Sequence, residues 1–250
     1  MPQAKSLEPF PGPHVAVDLA VLTVTPPPSA GGRLGELTVL VLGPTHGRER
    51  RALPGRFIRE RRTVAQTIDE IIAEKLDLSG GIRVLPKLLG VFDGPTRDDR
   101  AWTISLAHAV ALRHHTLASG LGDLVPVRAD ARLSTREHLD YDHDAIVTAA
   151  VRRMREHYEQ APDPYRLLDG PFTLSDLRHL REAVLGARLA RDTFKRRMLP
   201  HLEEVKESTG ELSVRRSVGR PTQFYRRSRR ARAAAPAALR LPRASGASGH

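Results

Sequence analysis

The stretch TLSDLRHLREAVLGARLARDTFKRRMLPHLEEVKESTGELSVRRSVGRPTQFYRR occupies residues 173–227. Its first fourteen residues read as a helix. Thr173 is an N-cap, Asp176 stands at the third helical position as in a capping box, and Gly186 is a stop. A second helix follows over roughly Ala190–Leu199, and then two strand-like segments near 202–208 and 222–227 with a Gly-containing connection. Immediately upstream, DHDAIVTAAVRRMREHYEQ (142–160) carries Ile146, Val147, Ala150, Val151, Met154 and Tyr158 as an apolar stripe, and APDP ends it. Helix, helix, turn, helix and a two-stranded wing is the order of a winged helix-turn-helix.

The helix at 190–199 sets Phe194, Met198 and Leu199 toward a core. Arg191, Thr193, Lys195, Arg196 and Arg197 are left on the outer face. Arginine offers a bidentate fork to guanine edges, and Lys and Thr reach phosphates or bases, so the face suits a major groove. In the wing, Arg215, Arg216 and Arg220 are the candidate contacts, with Gly219-Arg220-Pro221 allowing close approach to a phosphate or minor groove. The alternative for an Arg-rich helix is a solvated face. Phe224 and Tyr225 read as packing residues rather than base stackers.

The remainder of the chain has a different texture. HVAVDLAVLTV (14–24) and ELTVLVLG (36–43) read as strands of a hairpin with a long Pro/Gly loop. TVAQTIDEIIAEKL (63–76) is a helix capped by Thr63, and KLLGVFD (87–93) and WTISLAHAVAL (102–112) are further strands. The expected class is α+β: a sandwich domain with a mixed sheet over 14–140, a winged helix over 141–227, a flexible start over 1–13 and a basic disordered tail over 228–250.

Charge is uneven. Of 250 residues, 1–141 hold 18 Lys/Arg against 16 Asp/Glu and 142–225 hold 15 against 13, whereas 226–250 hold seven arginines and no acid. Most of the net +11 is therefore a tail that attracts any polyanion. With no cysteine, disulfides and Cys-ligated zinc are excluded, which fits the cytoplasm. No apolar run is long enough for a membrane span, and the first residues lack a signal core.

ALPGRFIRERRTVAQTIDEIIAEKLDL (52–78) resembles a Nudix box, a loop–helix–loop whose glutamates hold Mg²⁺ against a diphosphate. The frame survives while most of the chemistry does not. Aligned on Leu78, Glu70 stands where the box has Arg, Ile71 where it has its central Glu, and Lys75 where it has another Glu. Asp77 stands for the Gly, Arg62 for the upstream Glu, and Glu74 alone matches. Isoleucine binds no metal, and lysine repels one. The segments FDGPTRDDRAWTISLAHAVAL (92–112), YDHDAIVTAAVRRMR (141–155), FTLSDLRHLREAVLG, RDTFKRRML and GRPTQFYR are similar, in matching order, to the Nudix-related transcriptional regulators of NAD metabolism. The resemblance spans roughly 14–227.

What it implies is a homodimeric repressor whose Nudix-like domain binds ADP-ribose or a related nucleotide and thereby releases double-stranded DNA. It implies no catalytic residue, no metal and no cofactor beyond that effector. The family's Arg-Asp-x-Arg loop nominates Arg97, Asp98 and Arg100, and charge and position add Arg56. Arginines suit a diphosphate because they donate charge-assisted bonds without a metal. The alternative for the loop is a structural ion-pair cluster with Asp93, Asp98 and Asp99. His143 falls at the domain junction, where it could couple the two halves. His114 and His115, being adjacent, are unlike metal ligands. Two other functions stay open: a Nudix hydrolase in which Glu60 or Glu70 replaces the missing ligands, and an RNA-binding protein acting through the tail.

Overall fold

The computed structural model describes residues 12–26, 35–44, 49–78, 84–206, 214–215 and 222–228. The expected flexible start up to residue 11, the tail from 229, and Arg216 and Arg220 lie outside them. Chain order is β1 (His14–Thr25), β2 (Glu36–Val41), β3 (Gly55–Phe57), α1 (Val64–Lys75), β4 (Lys87–Phe92), β5 (Thr103–Ala111), β6 (Asp123–Pro126), α2 (His143–Gln160), β7 (Phe172–Thr173), α3 (Leu174–Leu185), α4 (Arg191–Met198), β8 (Leu202–Glu204), β9 (Val214–Arg215) and β10 (Thr222–Arg227).

The first six strands form one mixed sheet in the order β4-β5-β1-β2-β6, with β3 also paired to β1. The long β1 organises it. It runs parallel to β5 along His14–Leu22, antiparallel to β2 through Leu22–Thr25, and antiparallel to β3 through Ala16–Asp18. Strand side chains alternate between faces, so β1 feeds two cores. Val17, Leu19 and Val21 pack with Ile68, Ile71, Ile72 and Leu76 around α1. Ala20 and Leu22 pack with Ile146, Val147, Val151 and Met154 of α2. Helices on both faces make an α/β/α sandwich.

Helix α2 thus completes the sandwich. The expected division puts it in the domain that starts at residue 141, and an amphipathic stripe specifies that a face is buried but not against what. Its four largest aliphatic stripe residues are at most 1% exposed, and burying each stabilises by about 1.5–3 kcal/mol. The small sheet, β7-β10-β8 with β9 on β10, belongs to the C-terminal unit. There Phe172, Leu177, Phe194, Met198 and Tyr225 form a separate core. Leu180 and Val184 of α3 instead join the sandwich core, so the two units are packed together. Thr173 caps α3 in a reciprocal box with Asp176, and Gly186 ends it at φ 68°. Thr63 caps α1 with Gln66 in the same way. No helix among the described residues is long and apolar enough to cross a membrane.

Candidate functional site

On α1, the box residues form a charge cluster of their own. Arg56 donates from Nη1 to Glu70 at 2.8 Å and to Glu74 at 3.0 Å, and from Nη2 to Glu74 at 2.9 Å. These bonds from Arg56 pull the Glu74 carboxyl below its usual range. Arg62 stands 3.4 Å from Glu70. Lys75 does not point away. Its ammonium donates to the Gly55 carbonyl, and burial, with Arg56 beside it, lowers its pKa. Ile71 is fully buried in the α1 core. Both glutamates are therefore held by arginine, and a lysine ammonium occupies the carbonyl between them and β1. Among the described residues, no group of three His, Cys, Asp or Glu is placed to hold a metal.

The backbone keeps the box shape. Asp77, standing where the box has glycine, adopts φ 51°, a left-handed conformation that Asp tolerates better than most residues. Gly55 faces Asp18 across β1–β3, and a Cβ there would sit 2.1 Å from Asp18 Oδ1, so only glycine fits.

Asp18 is the centre of a second, buried cluster. Its Oδ2 accepts from Ser105 at 2.6 Å and from Arg97 Nη2 at 3.2 Å, and lies 3.4 Å from His143 Nε2. His143 Nδ1 accepts the Leu53 N–H at 3.0 Å, which leaves the ring proton on Nε2, toward Asp18. Burial would raise the Asp18 pKa, but His143, Ser105 and Arg97 outweigh it and hold the carboxyl at about 2. Arg97 also grips Asp142, at the N-terminus of α2, through Nη2 at 2.6 Å and Nε at 3.0 Å.

The four nominated effector residues are thus not equivalent. The Arg97 side chain is 3% exposed and its guanidinium is spent on Asp18 and Asp142 rather than on the loop's own acids. Asp98 is buried and holds Arg100, accepting its Nε at 2.9 Å, its Nη2 at 2.8 Å and its backbone N–H at 3.1 Å. That carboxylate raises the Arg100 pKa further. Arg56 is mostly covered. Arg100, 43% exposed, presents its guanidinium between the rings of Phe57 and Tyr141, at 5.5 and 5.1 Å, within cation–π range. Tyr141 is positioned by φ 56° and its ring lies 5.1 Å from that of His143. Phe57 and Trp102 are exposed. Sequence reading did not find Asp18, Phe57 or Tyr141. A lone acid inside the apolar run HVAVDLAVLTV was the available signal, since an acid is seldom buried without a partner.

His114 and His115 lie on a cleft of about 500 Å³ between the two units, also lined by Thr25, Leu168 and His179. It contains none of the four nominated residues.

In the C-terminal unit, all five nominated residues of α4 are exposed: Arg191, Thr193, Lys195, Arg196 and Arg197. Phe194 and Met198 anchor the opposite side of the helix. Arg215 lies on β9, opposite Thr222 of β10. Tyr225 is buried in the same core as Phe194, and the backbone of β10 pairs with β7, β8 and β9.

A mixed-sheet sandwich with a helix on each face, joined to a unit of α3, α4 and a wing, is the arrangement of a Nudix-like fold followed by a winged helix. Residues 164–227 match the family model for the NrtR DNA-binding winged helix domain. The ADPR responsive transcriptional repressor NtrR of Acinetobacter baylyi is 23% identical over 226 residues, covering 87% of this chain and 83% of that protein. The crystal structure of Shewanella oneidensis NrtR complexed with a 27mer DNA is similar at TM-score 0.63 and 21% identity, over 88% of this chain and 95% of that one. A MutT/nudix family protein from Enterococcus faecalis is similar at TM-score 0.66 and 20% identity, over 91% and 95%. The family match is thus to residues 164–227, and the whole chain shares the fold of the S. oneidensis structure.

Proposed function

We propose that this protein is a DNA-binding transcriptional repressor whose Nudix-like domain senses ADP-ribose or a related nucleotide without hydrolysing it. The observation that carries the reading is the α4 face. Five polar or cationic side chains project from a helix anchored by Phe194 and Met198, in a winged helix joined to a nucleotide-binding type of sandwich. The A. baylyi relative is named as an ADPR-responsive repressor and the S. oneidensis structure holds DNA, which supports the same assignment here. Control of NAD metabolism, a homodimer matched to a two-fold operator and a cytoplasmic location belong to the same proposal.

In this reading α4 enters the major groove, with Arg191, Thr193, Lys195, Arg196 and Arg197 on DNA and Arg215, Arg216 and Arg220 added from the wing. Arg100, clasped by Asp98 and flanked by Phe57 and Tyr141, is the direct effector contact: a cation for phosphate beside aromatic rings for a base. Arg97 positions this loop from below. Arg56 neutralises the box carboxylates, so that no metal is called for. The units divide after α2, the sandwich running from residue 14 to about 160.

Fluorescence anisotropy tests the proposal, using the duplex upstream of the protein's own gene against a scrambled duplex near 0.15 M salt, with and without ADP-ribose. Tighter binding to the native duplex, weakened by ADP-ribose, is expected. Equal affinity for both duplexes refutes a sequence-reading repressor.

A further inference from the structure

Each end of helix α2 finishes in a buried ionic cluster, and the two clusters serve different halves of the molecule. At the N-terminal end Asp142 holds Arg97, and His143 accepts the Leu53 N–H while its Nε2 lies 3.4 Å from Asp18. At the C-terminal end the Tyr158 hydroxyl donates to Asp163 at 2.9 Å. The Asp163 side chain is 0% exposed and also accepts the N–H groups of Leu167 at 3.0 Å and Leu168 at 3.2 Å. Its remaining partner is Arg227 Nη1 at 2.8 Å. Arg227 is the last residue of β10, two residues from Tyr225, which packs with Phe194 and Met198 of α4. Arg181 of α3 closes the same corner, donating to the Ala161 carbonyl at 2.7 Å and lying over the Tyr158 ring.

We propose that α2 is the coupling element between sensor and DNA reader, and that the Asp163–Arg227 pair registers the wing to it. The inference rests on the sensor–reader assignment above. An eighteen-residue helix spans about 27 Å, and its packed stripe makes it move as one body. A buried ion pair is either made or broken, because a stranded carboxylate is costly. Motion of α2 driven from Tyr141, Asp142 and His143 therefore reaches β10 as a discrete change. An effector acts only insofar as it binds the two arrangements unequally.

The test uses the full-length chain, ADP-ribose as probe and the ratio of DNA Kd with and without it. Couplings of this kind run from about 5- to 150-fold. Arg227→Met is expected to bring the ratio toward 1, while ADP-ribose affinity, measured by calorimetry, changes less than about twofold. Tyr158→Phe, which removes one bond and leaves the ion pair, is expected to lower the ratio part-way. Circular dichroism establishes that both variants fold. Folded variants that keep the wild-type ratio overturn the inference and leave the repressor reading intact. A wild-type protein that binds no ADP-ribose overturns the sensor reading, and this inference with it.

Discussion

Replacing Arg97 by methionine isolates the buried cluster around Asp18. Methionine keeps most of the volume and removes the charge. The guanidinium it deletes is 3% exposed and bonded to two carboxylates, one of them, Asp18, itself only 8% exposed. Removing one partner of a buried pair costs about 3–5 kcal/mol, because the other charge is left uncompensated. Two features push the value to the lower end. Asp142 is 24% exposed and can be solvated, and Asp18 retains the Ser105 hydroxyl at 2.6 Å and His143 at 3.4 Å. A loss of about 3 kcal/mol is expected, which lowers the urea midpoint by roughly 1 M or more at ordinary m values. Far-ultraviolet circular dichroism in urea measures it. Asp18→Asn should cost less, since Asp142 still holds Arg97. The double variant should then cost less than the sum of the two by about 2 kcal/mol, as contacting residues do not add. An unchanged midpoint in Arg97→Met, or strict additivity in the cycle, refutes the claim that this arginine is a structural cation for Asp18 and Asp142.

Arg196→Ala and Arg197→Ala should each weaken DNA binding while leaving the melting temperature nearly unchanged, because exposed side chains of this kind contribute within about 0.5 kcal/mol to stability. Where the lost contact is to a phosphate, the slope of log K against log salt should fall by about 0.9, read by anisotropy over a salt series. Acid should destabilise the sandwich through Asp18. Its folded pKa of about 2 lies below the ordinary 3.8, so its stabilisation is complete above pH 4 and lost as pH falls toward 2. The contribution is about 2 kcal/mol, and Asp18→Asn should abolish that part of the pH dependence in acid unfolding curves. Incubation with ADP-ribose and Mg²⁺ should release no AMP above a no-protein control. Turnover that Glu70→Gln abolishes would instead identify a hydrolase.

Elements with local signals were legible. α1 and α3 carry their N-caps and stripes in the sequence, α3 its glycine stop as well, and the exposed face of α4 follows from the spacing of Phe194 and Met198. The strands with no local signal were not. Gly55–Phe57 is three residues without alternation, and it is a strand because β1 offers a partner along Ala16–Asp18. The same holds for Asp123–Pro126 against β2. Helix α2 is legible at its observed position, but the surfaces it packs on are not, since periodicity is silent about the opposing element. The loop at residues 97–100 shows the limit most sharply. Nothing in the run of residues 97–100 distinguishes an arginine turned inward from one turned outward. The difference between Arg97 and Arg100 is set by Asp18 and Asp142, which are 79 and 45 residues away. Asp163 had looked like one letter of a helix-ending Pro-rich turn. Its role depends on Arg227, 64 residues on.

Holding a diphosphate asks for positive charge at fixed positions, and cleaving one asks in addition for carboxylates free to bind a metal and activate water. In the box of this chain the carboxylates are engaged by the chain's own cations. Arg56 spans Glu70 and Glu74, Lys75 sits on the Gly55 carbonyl, and Ile71 is turned into the core. A divalent ion entering there would have to displace covalently attached cations that pay no entropy of association. Gly55, pressed against Asp18, lets β3 pair with β1, and β3 carries Phe57 beside Arg100. The β1–β3 pairing therefore sets Phe57 against the Arg100 guanidinium. In the proposed sensing role that placement serves recognition, and it holds whether or not any bond in the ligand is broken.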